Sequence, residues 1–443
     1  MNNQKQNKYH IELVKKIDSK QVVIGIIGIG YVGLPLALAF HRKGIKVIGF
    51  DNNNKVIKTL KEGRSHINHI DSNEIERGIK SQNFVPTNDF TLIQNLDVIL
   101  VCLPTPLNKN KEPDLSFITQ TIKSIRGFLK KGQLISIEST TYPGATYEII
   151  RPLIEFNNLQ IGENFFLTYS PERVDPGNKD FKIEKIPKII GGDSKCCIDL
   201  GKKTYELLDL DVVLVSSSKA AEMTKLLENV YRSVNIGLIN ELKILAENLE
   251  LDIYEIIKAA ASKPFGFEAF YPGPGVGGHC IPIDPIYLSW KAKKDFDLPI
   301  KFIDLADEIN SKMPHYVINR VADSLEKNSL KINESKILIL GLSYKKNIDD
   351  CRESPSLLIT KNLINMGANI SYSDPYFPIY PCQNKNGISL KCTELSIKNI
   401  ASQDCVILLT DHDIFDYEII EKHSKLIIDT RGRFNSSEKI VKA

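Results

Sequence analysis

Cys280 stands in the run Gly273-Pro274-Gly275-Val276-Gly277-Gly278-His279-Cys280-Ile281-Pro282-Ile283-Asp284-Pro285, a thiol among glycines with a carboxylate four residues on. Glycines carry no Cβ and accept unusual dihedrals, so backbone N–H groups and a substrate carbon can come close to the sulfur, which is how a nucleophile is presented. The plain alternative is a tight turn around a packing cysteine. Lys225 and Asn229 offer a second set of chemical groups. They are i,i+4 neighbours in a proline-free stretch with apolar residues at helical spacing, and so project from one face of a helix. A lysine so placed is most often simply solvated, and the pair gains chemical meaning if its face meets Cys280.

A different signal lies near the start. Val22–Ile27 is apolar, Gly28-x-Gly30-Tyr31-Val32-Gly33 follows, and an apolar helical pattern comes next. This predicts strand, tight turn and helix. Gly28 makes the turn, Gly30 lets a pyrophosphate approach the backbone, Gly33 allows close helix–strand packing, and Tyr31 and Val32 line the turn. A second strand, Lys46–Phe50, ends at Asp51, placed to accept from a ribose 2′-hydroxyl and to repel a 2′-phosphate. NAD is therefore favoured over NADP. Residues 22–40 carry no charge, yet their glycines and Pro35 break the run as a strand-turn-helix would, which argues against a membrane span or a signal peptide.

The chain has 443 residues, with 57 basic and 54 acidic side chains and a formal charge of +3. Such a balance gives no reason to expect a nucleic-acid or membrane partner. Eight cysteines without a C-x-x-C pair suit a reducing cytoplasm better than a disulfide framework, and metal binding has no support. The length exceeds what one core serves.

Strand-like runs recur at Asp97–Leu103, Gln133–Glu138, Phe165–Tyr169 and Lys188–Gly192, alternating with helical stretches. Polar punctuation follows them, at Thr105, at Ser139-Thr140-Thr141 and at Ser170-Pro171-Glu172-Arg173, where ligands sit in open α/β sheets. A long helix is predicted from about Ser218 to Leu251 and another over Ile300–Asn328. A second α/β unit then begins at Lys336–Gly341, with a basic edge of Lys345, Lys346, Arg352 and Arg431 suited to a phosphate-bearing ligand or to an ordinary charged surface. The expected fold is α/β, with two Rossmann-like doubly wound parallel-sheet domains joined by a central long-helix layer. Its parts are an extension over 1–20, an NAD-binding domain over 21–217, a helical domain carrying the cysteine loop over 218–328, and a second Rossmann-like domain over 329–443.

Together these motifs resemble the UDP-glucose/GDP-mannose dehydrogenase family, from Val22 to Phe434. The resemblance rests on Gly28-x-Gly30-Tyr31-Val32-Gly33-Leu34-Pro35, Ser139-Thr140, Pro171-Glu172, Lys225-Leu226-Leu227-Glu228-Asn229, Gly277-Gly278-His279-Cys280-x-x-x-Asp284, Gly341-x-x-Tyr344-Lys345 and Arg352-Glu353-Ser354. Within the family, Glu138–Gly144, Ser170–Gly177, Lys263–Phe267 and Tyr271–Gly275 are most similar to UDP-N-acetylglucosamine 6-dehydrogenases of bacterial surface-polysaccharide pathways.

The resemblance implies a four-electron oxidation of C6 of a UDP-sugar to the uronic acid, with NAD as cofactor, in a cytoplasmic homodimer. It implies that Cys280 carries the thiohemiacetal and thioester, that Lys225 and Asn229 stabilise oxyanions, that Asp284 and Glu172 handle water and its proton, and that Thr140 positions that water. Gly28, Gly30, Tyr31, Val32, Gly33, Asp51, Thr105, Thr140 and Arg352 would meet the cofactor. Glu172, Arg173, Lys225, Asn229, Tyr271, Gly275, Gly277, Lys345 and Arg431 would meet the sugar nucleotide, and Lys263 takes a place where some relatives use an arginine of the partner subunit. UDP-N-acetylmannosamine, UDP-N-acetylgalactosamine and UDP-glucose are alternative substrates. A silent nucleotide-sugar sensor lacking catalysis and a two-electron hydroxyacid dehydrogenase are the readings from other classes; the presence of Cys280, Lys225 and Asp284 speaks against the sensor, and a cysteine nucleophile with a second nucleotide-binding domain speaks against the hydroxyacid dehydrogenase.

Overall fold

The computed structural model describes residues 7–67, 70–155, 158–173, 185–381 and 390–443. They divide into two compact units, Met1–Glu228 and Asn229–Ala443.

In the first unit, apolar runs form β1 (Val23–Ile27), β2 (Lys46–Phe50), β3 (Phe84–Thr87), β4 (Val98–Val101), β5 (Leu134–Ile137), β6 (Phe166–Tyr169), β7 (Lys188–Gly192) and β8 (Val212–Leu214). Their order across the sheet is β3-β2-β1-β4-β5-β6-β7-β8. β4, β5, β6 and β7 are buried at every position, as strands covered by helices on both faces must be. The chain order reverses direction between β1 and β4, which leaves a crevice at the carboxyl ends of these strands, the usual seat of a dinucleotide. The pairing is parallel as far as β6, and there the expectation of a wholly parallel sheet fails. β7 pairs antiparallel with β6, Thr168 opposite Gly192 and Tyr169 opposite Gly191, and β8 runs parallel to β7.

Residues Lys8–Asp18 form a helix that the Asn7 side chain caps, and it buries Leu13 and Ile17. His10 reaches Asp199 at 2.8 Å and Lys203 reaches Asp18 at 3.0 Å, so the N-terminal helix is tied to helix Lys195–Glu206.

The second unit contains β9 (Lys336–Leu340), β10 (Asn369–Ser373), β11 (Cys405–Leu408), β12 (Ile427–Asp429) and β13 (Ile440–Lys442), all parallel, in the order β10-β9-β11-β12-β13. Val321 and Leu325 of helix Lys301–Lys327 pack with Ile339, Ile407, Ile428 and Leu363 in its core. Helix Ser218–Asn248 is 31 residues long, and the division between the units falls within it.

Both units place a carboxylate just after the second strand. Asp51 follows β2, stays partly exposed and accepts from the Ile29 N–H at 3.3 Å. Asp374 follows β10, is 3% exposed, and accepts from the Leu342 and Ser343 N–H groups at 2.6 and 3.3 Å and pairs with His412 at 3.1 Å. The Asn347 N–H donates to His412 Nδ1 at 2.9 Å, so Nε2 carries the proton that it gives to Asp374. The first carboxylate is available to a ligand; the second is spent holding its own loop.

Candidate active site

The glycine turn after β1 has the shape its sequence predicts. Gly28 sits at φ +89°, where a Cβ would lie 2.4 Å from the Cys102 carbonyl oxygen, and a Cβ on Gly33 would lie 1.9 Å from the Gly28 oxygen. A Cβ on Gly30 would meet nothing within 4 Å. The open space is thus at the residue that must admit a pyrophosphate. Helix Gly33–Arg42 starts at Val32 with no side chain capping its first N–H groups, which leaves them for an anion. Tyr31 beside them is 38% exposed. Asp51 closes the turn, also accepting from Asn53 N–H at 2.8 Å. These residues fit a dinucleotide with a free 2′-hydroxyl.

At the carboxyl edge of the same sheet, Thr105 follows β4, and Thr140 follows β5 beside the buried Ser139 and Thr141. Glu222, fully buried on helix Ser218–Asn248, grips the loop after β5. It accepts from Thr141 Oγ1 at 2.9 Å, Gly144 N–H at 2.6 Å, Thr146 N–H at 2.8 Å and Thr146 Oγ1 at 2.6 Å. Burial pushes its carboxyl up to about 7 even against these four bonds.

Glu172 and Arg173 follow β6. The Glu172 carbonyl accepts from Lys225 Nζ at 2.6 Å, and its carboxylate accepts from the Arg173 N–H at 2.7 Å and meets Lys188 Nζ at 3.3 Å. Arg173 is occupied by Glu228 at 2.5 Å and by the Pro187 carbonyl at 2.9 Å. The unit thus joins Lys225 to Glu172. Asp175, Pro176 and Gly177 of the same motif lie outside the described residues.

In the second unit, Asn229 donates through Nδ2 to Asp284 Oδ2 at 2.5 Å, with both residues buried. Asp284 opens helix Asp284–Phe296, and its N–H donates to the Cys280 carbonyl at 2.8 Å. Cys280 itself is partly exposed. The glycines before it are required by close neighbours. Gly278 lies at φ +85°, where a Cβ would press on the Tyr344 ring at 2.9 Å, and its N–H donates to the Arg352 carbonyl at 3.0 Å. A Cβ on Gly277 would lie 2.6 Å from Tyr344 Cβ. Gly275 has φ +128°.

The cysteine loop is therefore built against the segment that carries Tyr344, Lys345 and Arg352. The Arg352 guanidinium is held by Asp350 at 2.5 and 3.0 Å; burial alone would raise the Asp350 carboxyl, and the bonds and charge of Arg352 keep it below its ordinary range. Arg431 follows β12, donates to the Leu409 carbonyl at 2.7 Å, and has its Nη1 3.0 Å from where a Gly273 Cβ would stand. The Gly273 N–H donates to Asn240 Oδ1 at 3.0 Å. Tyr271 is 55% exposed, and Lys263, also exposed, lies over the Phe265 ring at 4.9 Å.

Sequence reasoning did not single out Lys188, Glu138 or Glu222. A signal existed for the first, because a lysine opens a strand that is otherwise fully buried. Glu138 directly precedes Ser139-Thr140, and only its burial marks it as more than a strand end.

Comparison with known proteins agrees with this arrangement. Three profiles of the UDP-glucose/GDP-mannose dehydrogenase family match in order: the NAD binding domain over 22–209, the central domain over 219–312 and the UDP binding domain over 338–436. A UDP-N-acetyl-D-mannosamine dehydrogenase of Pyrococcus horikoshii is 34% identical over 92% of this chain and 95% of its own length. A solved structure of such an enzyme from that organism superimposes with a TM-score of 0.83 at 31% identity, covering 94% of this chain and 96% of the other. A UDP-N-acetyl-D-glucosamine 6-dehydrogenase of Pseudomonas aeruginosa is 33% identical over 89% of this chain and 92% of its own. An NDP-N-acetyl-D-galactosaminuronic acid dehydrogenase of Ralstonia nicotianae is 33% identical over 95% and 98%. With a dinucleotide turn in one unit, a glycine-framed cysteine in the other and all three domain profiles matched along its length, the chain belongs to the UDP-glucose/GDP-mannose dehydrogenase family, enzymes that use NAD to oxidise nucleotide sugars.

Proposed function

We propose that this enzyme oxidises C6 of a UDP-N-acetylhexosamine to the uronic acid, with UDP-N-acetylglucosamine as the first choice of sugar. The observation that carries the covalent part is the Cys280 loop, in which the carboxylate of Asp284 is fixed by Asn229 at 2.5 Å and its N–H by the cysteine carbonyl at 2.8 Å. The choice of sugar is supported by the likeness of Glu138–Gly144, Ser170–Gly177 and Lys263–Phe267 to enzymes acting on UDP-N-acetylglucosamine. Relatives named for three different N-acetylhexosamines stand at nearly equal identity, so the epimer is a matter for assay.

NAD⁺ held by Gly28, Gly30, Gly33 and Asp51 supplies a two-electron hydride acceptor, used twice per sugar. Cys280 adds to the C6 aldehyde so that the intermediate cannot diffuse away, and the thiohemiacetal becomes a thioester at the second oxidation. Lys225 and Asn229 stabilise the oxyanions formed at C6, a contribution of about 3 kcal/mol for a preorganised donor. In hydrolysis a water oxygen bonds to C6, the C–S bond breaks, Cys280 leaves as thiolate, and Glu172 takes the water proton with Thr140 orienting the water. Asp284 assists in handling that proton. Lys345 and Arg431 hold the UDP phosphates or sugar, with Arg173, Tyr271, Gly275 and Gly277 as further contacts; Thr105 and Arg352 serve the cofactor, and Lys263 completes the sugar site of a neighbouring subunit.

A homodimer is supported by exposed apolar residues on the second unit's helices, among them Leu238 (48%), Leu245 (54%), Phe302 (75%) and Leu305 (50%). Cytoplasmic surface-polysaccharide precursor synthesis is the proposed setting. Among the described residues no helix is long and apolar enough to cross a membrane.

The test is a panel of UDP-sugars incubated with NAD⁺ while NADH is counted. Two NADH per UDP-N-acetylglucosamine are expected; a preference for UDP-glucose overturns the sugar assignment, and one NADH per sugar overturns the four-electron reading. In Cys280→Ser, steady-state turnover should fall by orders of magnitude while NAD⁺ binding persists, and intact-mass measurement should show at most an aldehyde-level or ester-linked adduct. Two NADH per sugar at wild-type speed from that variant would make Cys280 structural.

A further inference from the structure

Behind Glu172 lies a buried ionic cluster that the proposed reaction does not use. Lys188, the first residue of β7, is 6% exposed and places Nζ 2.6 Å from Glu138 Oε2, 3.3 Å from Glu172 Oε2 and 3.4 Å from the Pro171 carbonyl. Glu138, at the end of β5, is 2% exposed and accepts from Ser136 Oγ at 3.0 Å and from the Tyr205 hydroxyl. The Tyr205 ring, on helix Lys195–Glu206, lies 5.2 Å from the same ammonium. The Cys102 thiol beyond β4 completes the surroundings, kept un-ionised by burial first and by Glu138 second. Two carboxylates thus share one desolvated cation, and of the two only Glu172 has been given work in the reaction.

We propose that Lys188 is a positioning residue for nucleotide-sugar oxidation, holding the Glu172 carboxylate in place for the hydrolytic half of the reaction. The inference rests on the reading of Glu172 as the group that takes the water proton. A carboxylate on a loop can turn away, but here Oε1 accepts from the Arg173 N–H and Oε2 meets the buried ammonium, which fixes the plane of the group. Burial would lower Lys188, yet the two carboxylates outweigh burial and hold it above its ordinary value, so it stays charged throughout the working pH range. Glu138, more deeply buried, is pushed up to about 7 in spite of Lys188. The same ammonium stands 3.3 Å from Glu172 Oε2, where its positive charge attracts the carboxylate. Among the described residues, Lys225 is bonded to the Glu172 backbone carbonyl and the Arg173 guanidinium to Glu228.

The test uses the full chain with UDP-sugar and NAD⁺, comparing Lys188→Met, Lys188→Arg and Glu138→Gln with the unaltered enzyme, and Glu172→Gln as reference. In Lys188→Met the first NADH should form at nearly the original rate, while steady-state kcat falls at least about tenfold and a thioester mass accumulates on Cys280. The acid limb of kcat should move to higher pH. Lys188→Arg, which keeps the cation, should restore most of kcat and the original limb. Glu138→Gln removes a competing acid and should leave the limb in place or lower it. If Lys188→Met does not fold, the arginine and glutamine variants carry the test by the same pH profile.

A Lys188→Met enzyme with unaltered kcat and acid limb overturns the inference. So does equal loss of the first turnover and kcat with no recovery by arginine, which marks a structural role, and so does an upward shift in Glu138→Gln. If Glu172→Gln itself turns over normally, the reading of Glu172 fails; if it blocks hydrolysis while Lys188→Met does not, this inference alone fails.

Discussion

Lys188 in the first unit and Lys243 in the second are both buried, and their surroundings can be compared directly. In the first, Lys188 touches two carboxylates and a carbonyl. In the second, Lys243 is 3% exposed on helix Ser218–Asn248, and its Nζ has no hydrogen-bond partner among the described residues, only the Tyr316 ring at 5.0 Å. The carboxylate that attracts it most, Glu247, is taken by Arg320 at 2.5 Å and by the Tyr316 hydroxyl. Burial therefore pushes Lys243 down to about 7; the attraction of Glu247 and Asp429 opposes this, and Arg320 and Arg431 add to it. Desolvation bears on both lysines, and partners alone decide which remains an ammonium. A buried lysine is thus a fixed cation in one unit and a titrating amine in the other.

The sharpest way to break the comparison is to remove both ammonium groups. Lys188→Met strands the buried Glu138 and the partly buried Glu172 and should cost about 3–5 kcal/mol in denaturant unfolding. Lys243→Met removes an uncompensated group and should be neutral or add about 1–2 kcal/mol. A loss at Lys243 as large as that at Lys188 would show that the second lysine has a partner of equal strength.

The pH dependence separates them further. Lys243 falls to about 7 from an ordinary 10.5, so between those limits the unfolded chain binds a proton that the native chain lacks, and stability should rise with pH there by up to about 1.4 kcal/mol per unit. Lys243→Met should flatten that rise. Glu138 and Glu222 move the opposite way, from 4.5 to about 7, so the native chain holds protons the unfolded chain has released, and stability should fall as pH climbs from 4.5 to 7. The smallest change in slope is expected from Glu222→Gln, which removes one titrating acid but sets an amide NH2 at one of the two positions where carboxylate oxygens now accept. Urea midpoints measured across pH 4–10 check both slopes.

Much of this was legible in the chain. The Gly28–Gly33 turn, strand Lys46–Phe50 and Asp51 stand where the glycine spacing puts them, because glycine conformation and apolar runs are local properties. β3 escaped notice because it is four residues long, contains Pro86 and lies at the sheet edge, where a missing N–H is tolerated. The cysteine loop was legible as a glycine-rich turn around a thiol, while its contact with Tyr344 depends on residues more than sixty positions away in the chain. Lys188, Glu138 and Glu222 acquire meaning only through burial and pairing, which periodicity does not encode.

The reversed strand β7 has a consequence for how the cluster is wired. Ligand edges of α/β sheets are furnished by strand ends, yet Lys188 is a strand beginning. With Tyr169 opposite Gly191, continuing the antiparallel register by three residues sets position 188 across from position 172. Had β7 run parallel to β6, its first residue would lie about 13 Å away, at the other end of four residues of extended chain. The register of one short pairing is therefore an electrostatic setting: a slip by a single residue would turn the ammonium to the opposite face of the sheet and leave both acids without it.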